Sequence, residues 1–144
     1  MFWQISNVVV LAALFTAHQS QIASIDAGQW ETTISMDLPG LGGETKTTSS
    51  YCVSEAEAAA GPVRMFQPEA SQCDILSHSY GEGTMALEML CKADGGEIKI
   101  TTMGSFTATT YQMTSLTEAT FGGQPMTMNS KITGHYVGPC NKGG

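Results

Sequence analysis

The side chains that could act as nucleophile, base or metal ligand are few in this sequence and lie far apart. Nucleophilic hydrolysis needs a hydroxyl or thiol beside a base that a third group orients. The only histidines are His18, His78 and His135, and His18 lies in a segment expected to be removed, so a Ser/His/Asp set can draw only on the other two. No G-x-S-x-G turn is present. His78 stands between Ser77 and Ser79 in a run that reads as a strand, where alternation puts it on the outer face. Tyr80 and Tyr111 read as strand aromatics. Glu82, Glu88 and Glu97 supply carboxylates, yet no spacing singles out a pair for glycosidase chemistry. A hydrolase with an unrecognised site is therefore a distant alternative, and neither catalytic residues nor a cofactor are expected.

Metal chemistry has one candidate. Met126 and Met128 share a strand face by period two, and His135 follows on the same predicted strand, offering the thioether and imidazole donors that suit copper(I). Nine methionines in a chain short of Leu and Val also read as flexible core filler. The four cysteines, Cys52, Cys73, Cys91 and Cys140, form an even set with no close C-x-x-C pair, so a zinc ribbon or a thioredoxin-like site is excluded by spacing. In an oxidising compartment they pair as two disulfides. Spacing allows three connectivities. The preferred one joins Cys52 with Cys73, closing a helical crossing onto the sheet, and Cys91 with Cys140, tying down the C-terminal end. Cys73 with Cys91 is the alternative that a hairpin register brings opposite.

The elements that must position these residues are mostly strands. Gly28 to Leu38 alternates, with Trp30, Thr32, Ile34, Met36 and Leu38 on one face and Glu31, Thr33, Ser35 and Asp37 on the other, the signature of a half-buried antiparallel strand. Pro39 to Gly43 is a turn, and Thr45 to Val53 a second, Thr-rich strand paired with the first. Ser54 and Glu57 form a capping box for a short helix over Glu55 to Ala60, which Gly61-Pro62 ends. An irregular crossing loop runs to Gln72. Asp74 to Tyr80 and Thr84 to Cys91 flank the Gly81-Glu82-Gly83 turn; a hairpin centred on Glu82 sets Cys73 opposite Cys91 and aligns Ile75, Met85, Leu87 and Met89 on a core face. Asp94-Gly95-Gly96 turns into Glu97 to Met103, Gly104 is expected to break that strand, and Ser105 to Thr117 forms a long one. Phe121 to Pro125 is the last turn and Met126 to Tyr136 the last strand. The fold class is mainly β: an antiparallel meander of about seven strands in a curved sheet or half-barrel, with one short helix.

Composition bounds the function. The net charge of −7 and six scattered Lys and Arg residues give no basic patch, which excludes a nucleic-acid binder. Val8 to Ala17 is an unbroken apolar run followed by polar residues and then the small residues Ala23 and Ser24, the layout of a secretory signal peptide and too short to span a bilayer. Residues 1–24 are thus read as the signal peptide and 25–144 as one disulfide-containing β domain, exported to the periplasm, with no transmembrane segment.

The set Gly28-x-Trp30-Glu31-Thr32, the Cys52-Val53-Ser54 entry to an acidic helix, the Cys73 and Cys91 pair flanking a hairpin, and the ending Gly134-x-x-Val137-Gly138-x-Cys140 resembles one family. It is similar to the proteobacterial periplasmic proteins grouped as domain of unknown function 3617, over Gly28 to Cys140. The resemblance implies a small exported β domain with cysteines and no established activity, and it supplies no catalytic residues. What remains is a non-enzymatic binding or structural envelope protein, whose partner is an unknown protein or a small apolar ligand such as a lipid. Trp30, Ile34, Met36, Met85, Leu87 and Met89 are the ligand-facing candidates; simple core filling is the competing reading of the same side chains.

Overall fold

The computed structural model describes residues 24–38, 42–66 and 72–141. All of the expected signal peptide but Ser24, residues 39–41 of the first turn and residues 67–71 of the expected crossing loop lie outside the described residues. Strand β1 (Gly28–Leu38) and strand β2 (Gly43–Val53) form an antiparallel hairpin with Trp30 opposite Tyr51 and Ile34 opposite Thr47. Helix α1 (Glu55–Ala60) follows with the expected capping box. The Ser54 hydroxyl accepts from the Glu57 N–H at 3.2 Å, and the Glu57 carboxylate accepts from the Ser54 N–H at 2.8 Å. Two otherwise orphaned donors are thereby satisfied. Pro62–Phe66 then forms a 3₁₀ turn at the start of the crossing.

Five strands complete the sheet: β3 (Cys73–Gly81), β4 (Thr84–Ala93), β5 (Gly96–Phe106), β6 (Thr110–Phe121) and β7 (Gln124–Gly138). All seven lie in one open antiparallel sheet in the order β2-β1-β7-β6-β5-β4-β3. From β3 to β7 each strand lies beside its predecessor, and β7 then docks on β1. The β1–β2 hairpin therefore sits at one edge and β3 at the other, and the α1 crossing carries the chain between them. The expected class, strand number and helix are all present.

Local departures from the expected pattern have physical causes. Gly104 does not break β5, which runs through it to Phe106. A Cβ at 104 would fall on the Gln112 carbonyl oxygen and lie 2.7 Å from Met113 Cα, so the glycine lets β6 approach closely. The expected long strand from Ser105 is instead divided by a turn that contains neither glycine nor proline. The Thr107 hydroxyl accepts from the backbone N–H groups of Thr109 at 3.3 Å and Thr110 at 3.0 Å, replacing strand partners with a side chain.

The β3–β4 hairpin turns on Glu82 and Gly83, with φ 51° and 79°, as a two-residue turn of the primed type requires. The register then slips between Ile75 and Ser77, which leaves Leu76 bulged and 51% exposed. Because a one-residue slip exchanges faces, His78 lies opposite Leu87 and Tyr80 opposite Met85. The sequence expectation of an outward His78 is corrected: it projects from the face that carries the core. Ile75, expected in the core, is 39% exposed on the edge strand.

The disulfides join Cys52 to Cys140 and Cys73 to Cys91. The expected pairing of Cys52 with Cys73 and Cys91 with Cys140 is overturned by topology. Cys52 is on β2 and Cys73 on β3, the two opposite edges of the sheet. Cys52 instead lies opposite Gln29 on β1, which lies opposite Gly138 on β7, and this row brings Cys140 to a Cα separation of 5.6 Å. Cys73 and Cys91 are directly opposed.

Candidate functional site

One face of the sheet, here called inner, carries Trp30 and receives the crossing. Trp30, Val53, Met85, Leu87, Met89, Phe106 and Met113 are buried there, together with Ala58 and Val63 from the crossing. Each such large side chain contributes roughly 1.5–3 kcal/mol. Trp30 is completely buried, and its Nε1–H donates to the Asp26 carbonyl at 2.9 Å. Its ring stacks on Tyr111 at 5.5 Å between centroids, Tyr136 meets it edge-on at 6.2 Å, and Phe66 from the 3₁₀ turn meets Tyr111 edge-on at 5.4 Å. Tyr111 lies opposite Gly134, and any Cβ at 134 would overlap its ring.

Inside this aromatic layer is a hydroxyl cluster. The Tyr111 hydroxyl bonds to Thr32 Oγ1 and to the Tyr51 hydroxyl at 3.2 Å. Burial, reinforced by the bond to Tyr111, pushes the Tyr51 pKa far above its ordinary value. The phenol is therefore held neutral, which suits a satisfied structural network and not a base. A second buried pair, Thr102 Oγ1 donating to Ser115 Oγ at 3.0 Å, lies further along the same face. Single-residue alternation shows Trp30 and Thr32 on one face and Tyr111 only as a strand aromatic, and the Thr32–Tyr111–Tyr51 cluster depends on β1 lying between β2 and β7, a pairing no local pattern reveals.

The six ligand-facing candidates all occupy the inner face. Trp30, Met85, Leu87 and Met89 are at most 3% exposed, whereas Ile34 and Met36 are half-buried. Ile98 and Ile100 on β5 and Met128 and Ile132 on β7 extend this half-buried apolar surface. Charge is sorted completely between the two faces. Registers place every Asp, Glu, Lys and Arg of the seven strands outward, including Glu31, Lys46, Glu88, Lys99, Glu118 and Lys131. Among the described residues His78 is the one histidine on the inner side.

The copper candidates are not brought together. Met126 and Met128 lie in register with Ala119 and Thr117 on the inner face, while His135 lies opposite Glu31 on the outer face. Nine residues of strand at ~3.3 Å each separate His135 from Met126. With no bulge between them, an odd offset along β7 exchanges faces, which corrects the expectation that these three could share a metal. Among the described residues no group of three or more His, Cys, Asp and Glu side chains is placed to hold a metal ion.

The outer face does align Ser50, Glu31, His135 and Thr110 across four strands. His135 Nε2 stands 3.8 Å from Glu31 Oε1, and both side chains are about half exposed. The Thr110 hydroxyl engages Thr107 Oγ1 at 2.7 Å. A carboxylate–imidazole contact longer than a hydrogen bond, on an open sheet face, lacks the orientation that nucleophile activation needs. Two depressions occur on the charged periphery. One of about 600 Å³ is lined by Gln72, Asp74, Lys92, Ala93 and Asp94; another of about 450 Å³ lies over Ser35, Asp37, Glu44, Asn129 and Lys131. No helix among the described residues is long and apolar enough to cross a membrane.

Fold and site define a small disulfide-bonded domain built on a single antiparallel sheet, with one uncharged and one charged face. The family model described as "Protein of unknown function (DUF3617)" matches residues 25–140, and the chain belongs to that family. Comparison with curated proteins and with solved structures found no match.

Proposed function

We propose that this is an exported, non-enzymatic binding domain of the bacterial periplasm that holds a small uncharged apolar ligand, such as a lipid chain, on the inner face of its sheet. The observation that carries the reading is the charge sorting: seven strands present no charged carboxylate, amine or guanidinium inward. A core that is merely filled also excludes charge. Here, however, the exclusion extends to Ile34, Met36, Ile98, Ile100, Met128 and Ile132, which stay half-buried, and to Met126, which is 48% exposed. Flexible thioethers beside branched aliphatics suit a ligand of variable shape. With no Lys or Arg of the seven strands on that face, an anionic headgroup would have to remain at its rim.

Export is supported by the apolar run Val8 to Ala17 and by an even, fully paired cysteine set. Native mass spectrometry of protein purified from the cell envelope tests the binding reading. An added mass that organic extraction removes and identifies as an uncharged or single-headgroup lipid is the expected result. A bare mass, unchanged after incubation with envelope lipid extract, would overturn it and leave a structural role.

A further inference from the structure

The residues just before β1 are part of the fold. Ile25 is 3% exposed and belongs to the same core cluster as Trp30 and Val53. Asp26 donates its backbone N–H to the Ala108 carbonyl at 2.8 Å, in the turn between β5 and β6, and its own carbonyl accepts from Trp30 Nε1. Ala27 packs against the core, while Ser24 is exposed. The segment 25–27 thus clips the start of β1, across β7, to the turn between β5 and β6.

We propose that the processing cut of this chain falls between Ala23 and Ser24, so that the mature domain begins at Ser24; the proposal rests on the export reading. Signal cleavage uses an A-x-A-like site, with one small residue just before the cut and another two residues earlier. No full A-x-A set stands beyond the apolar run and its polar exit, where Ala23, Ser24, Ala27 and Gly28 are the small residues that can precede the cut. A cut after Ala27 or Gly28 would remove Ile25 from the core and take away the carbonyl that Trp30 Nε1 uses. A cut after Ser24 would leave the new α-ammonium on Ile25, a buried residue, and burying an unpaired charge is strongly unfavourable. A cut after Ala23 places the same charge on an exposed serine and keeps the 25–27 clip whole. The boundary drawn from sequence at 24/25 therefore moves by one residue.

The test is to express the full chain in a bacterium with a periplasm, fractionate the cells and sequence the N-terminus of the product, with its intact mass. Ser24 as the first residue is the expected result. Two variants sharpen the assignment: Ala23→Phe is expected to accumulate uncut precursor, whereas Ser24→Phe is processed like the parent. A periplasmic product starting at Ile25, Gly28 or a residue before Ser24 overturns the cut assignment while leaving export intact. An uncut chain confined to the cytoplasm overturns export itself.

Discussion

The residue that joins most of the molecule is Tyr111. Its ring covers Gly134, stacks on Trp30 and meets Phe66, while its hydroxyl links Thr32 and Tyr51. Replacing it by Phe keeps the rings but leaves a buried threonine hydroxyl without that partner, so Tyr111→Phe is expected to lose about 1–3 kcal/mol in urea unfolding. Tyr51 makes a separate, pH-dependent prediction. Its folded pKa is raised above the ordinary value near 10, so below that pH both folded and unfolded chains keep the proton and the full stability is present. Above it the unfolded chain releases a proton that the folded chain retains, and stability falls by at most about 1.4 kcal/mol per pH unit. Tyr51→Phe should therefore flatten the alkaline limb of the stability curve; an unchanged slope from pH 9 to 11 would refute the assigned environment.

Among the elements, the two disulfides constrain different things. Cys73 and Cys91 are 18 residues apart at the open end of a hairpin, whereas Cys52 and Cys140 are 88 apart and tie β2 to the end of β7. Loop-closure entropy assigns roughly 3 kcal/mol to the first and roughly 4.5 to the second. Cys52→Ser with Cys140→Ser should accordingly lower the urea midpoint more than Cys73→Ser with Cys91→Ser. Equal losses would show that chain entropy does not govern either bridge. The same elements show what sequence can and cannot reveal. Alternation located β1 and the β3–β4 hairpin, and Ser54 with Glu57 marked α1, because these patterns are set by neighbours in the chain. The turn at Thr107 was hidden because it rests on side-chain bonds to backbone, with no glycine or proline to mark it. Gly104 reads as a strand breaker in sequence, yet it answers to a close approach by β6, not to its own strand. The disulfide pairing was missed because it follows from which strands become the sheet edges, and that is decided by β7 docking on β1, about a hundred residues away along the chain.

For the molecule as a whole, the inner-facing candidates are legible strand by strand, but the absence of charged strand residues over the entire face emerges only when all six registers are assembled. That property decides how the face responds to substitution. Met128 and Thr127 are adjacent on β7, one inward and half-buried, the other outward and exposed. Lysine at 127 joins a face that already carries Lys131, Glu118 and Lys99, and its ammonium stays in water. Lysine at 128 would set an ammonium among Ile100, Thr117 and Met36, on a face to which none of the seven strands contributes a carboxylate. Near the rim its long stem can still reach water, so the fold is expected to survive with a loss of about 1–3 kcal/mol. A bound apolar chain has no such escape and would lie against the charge. Met128→Lys should thus reduce retention of a fluorescent fatty alcohol at least tenfold, and Thr127→Lys should leave it within twofold. Circular dichroism of both variants must show the parent strand signal. If the two lysines affect binding equally, the ligand does not lie on the inner face; if Met128→Lys alone loses it while remaining folded, the uncharged face is the seat.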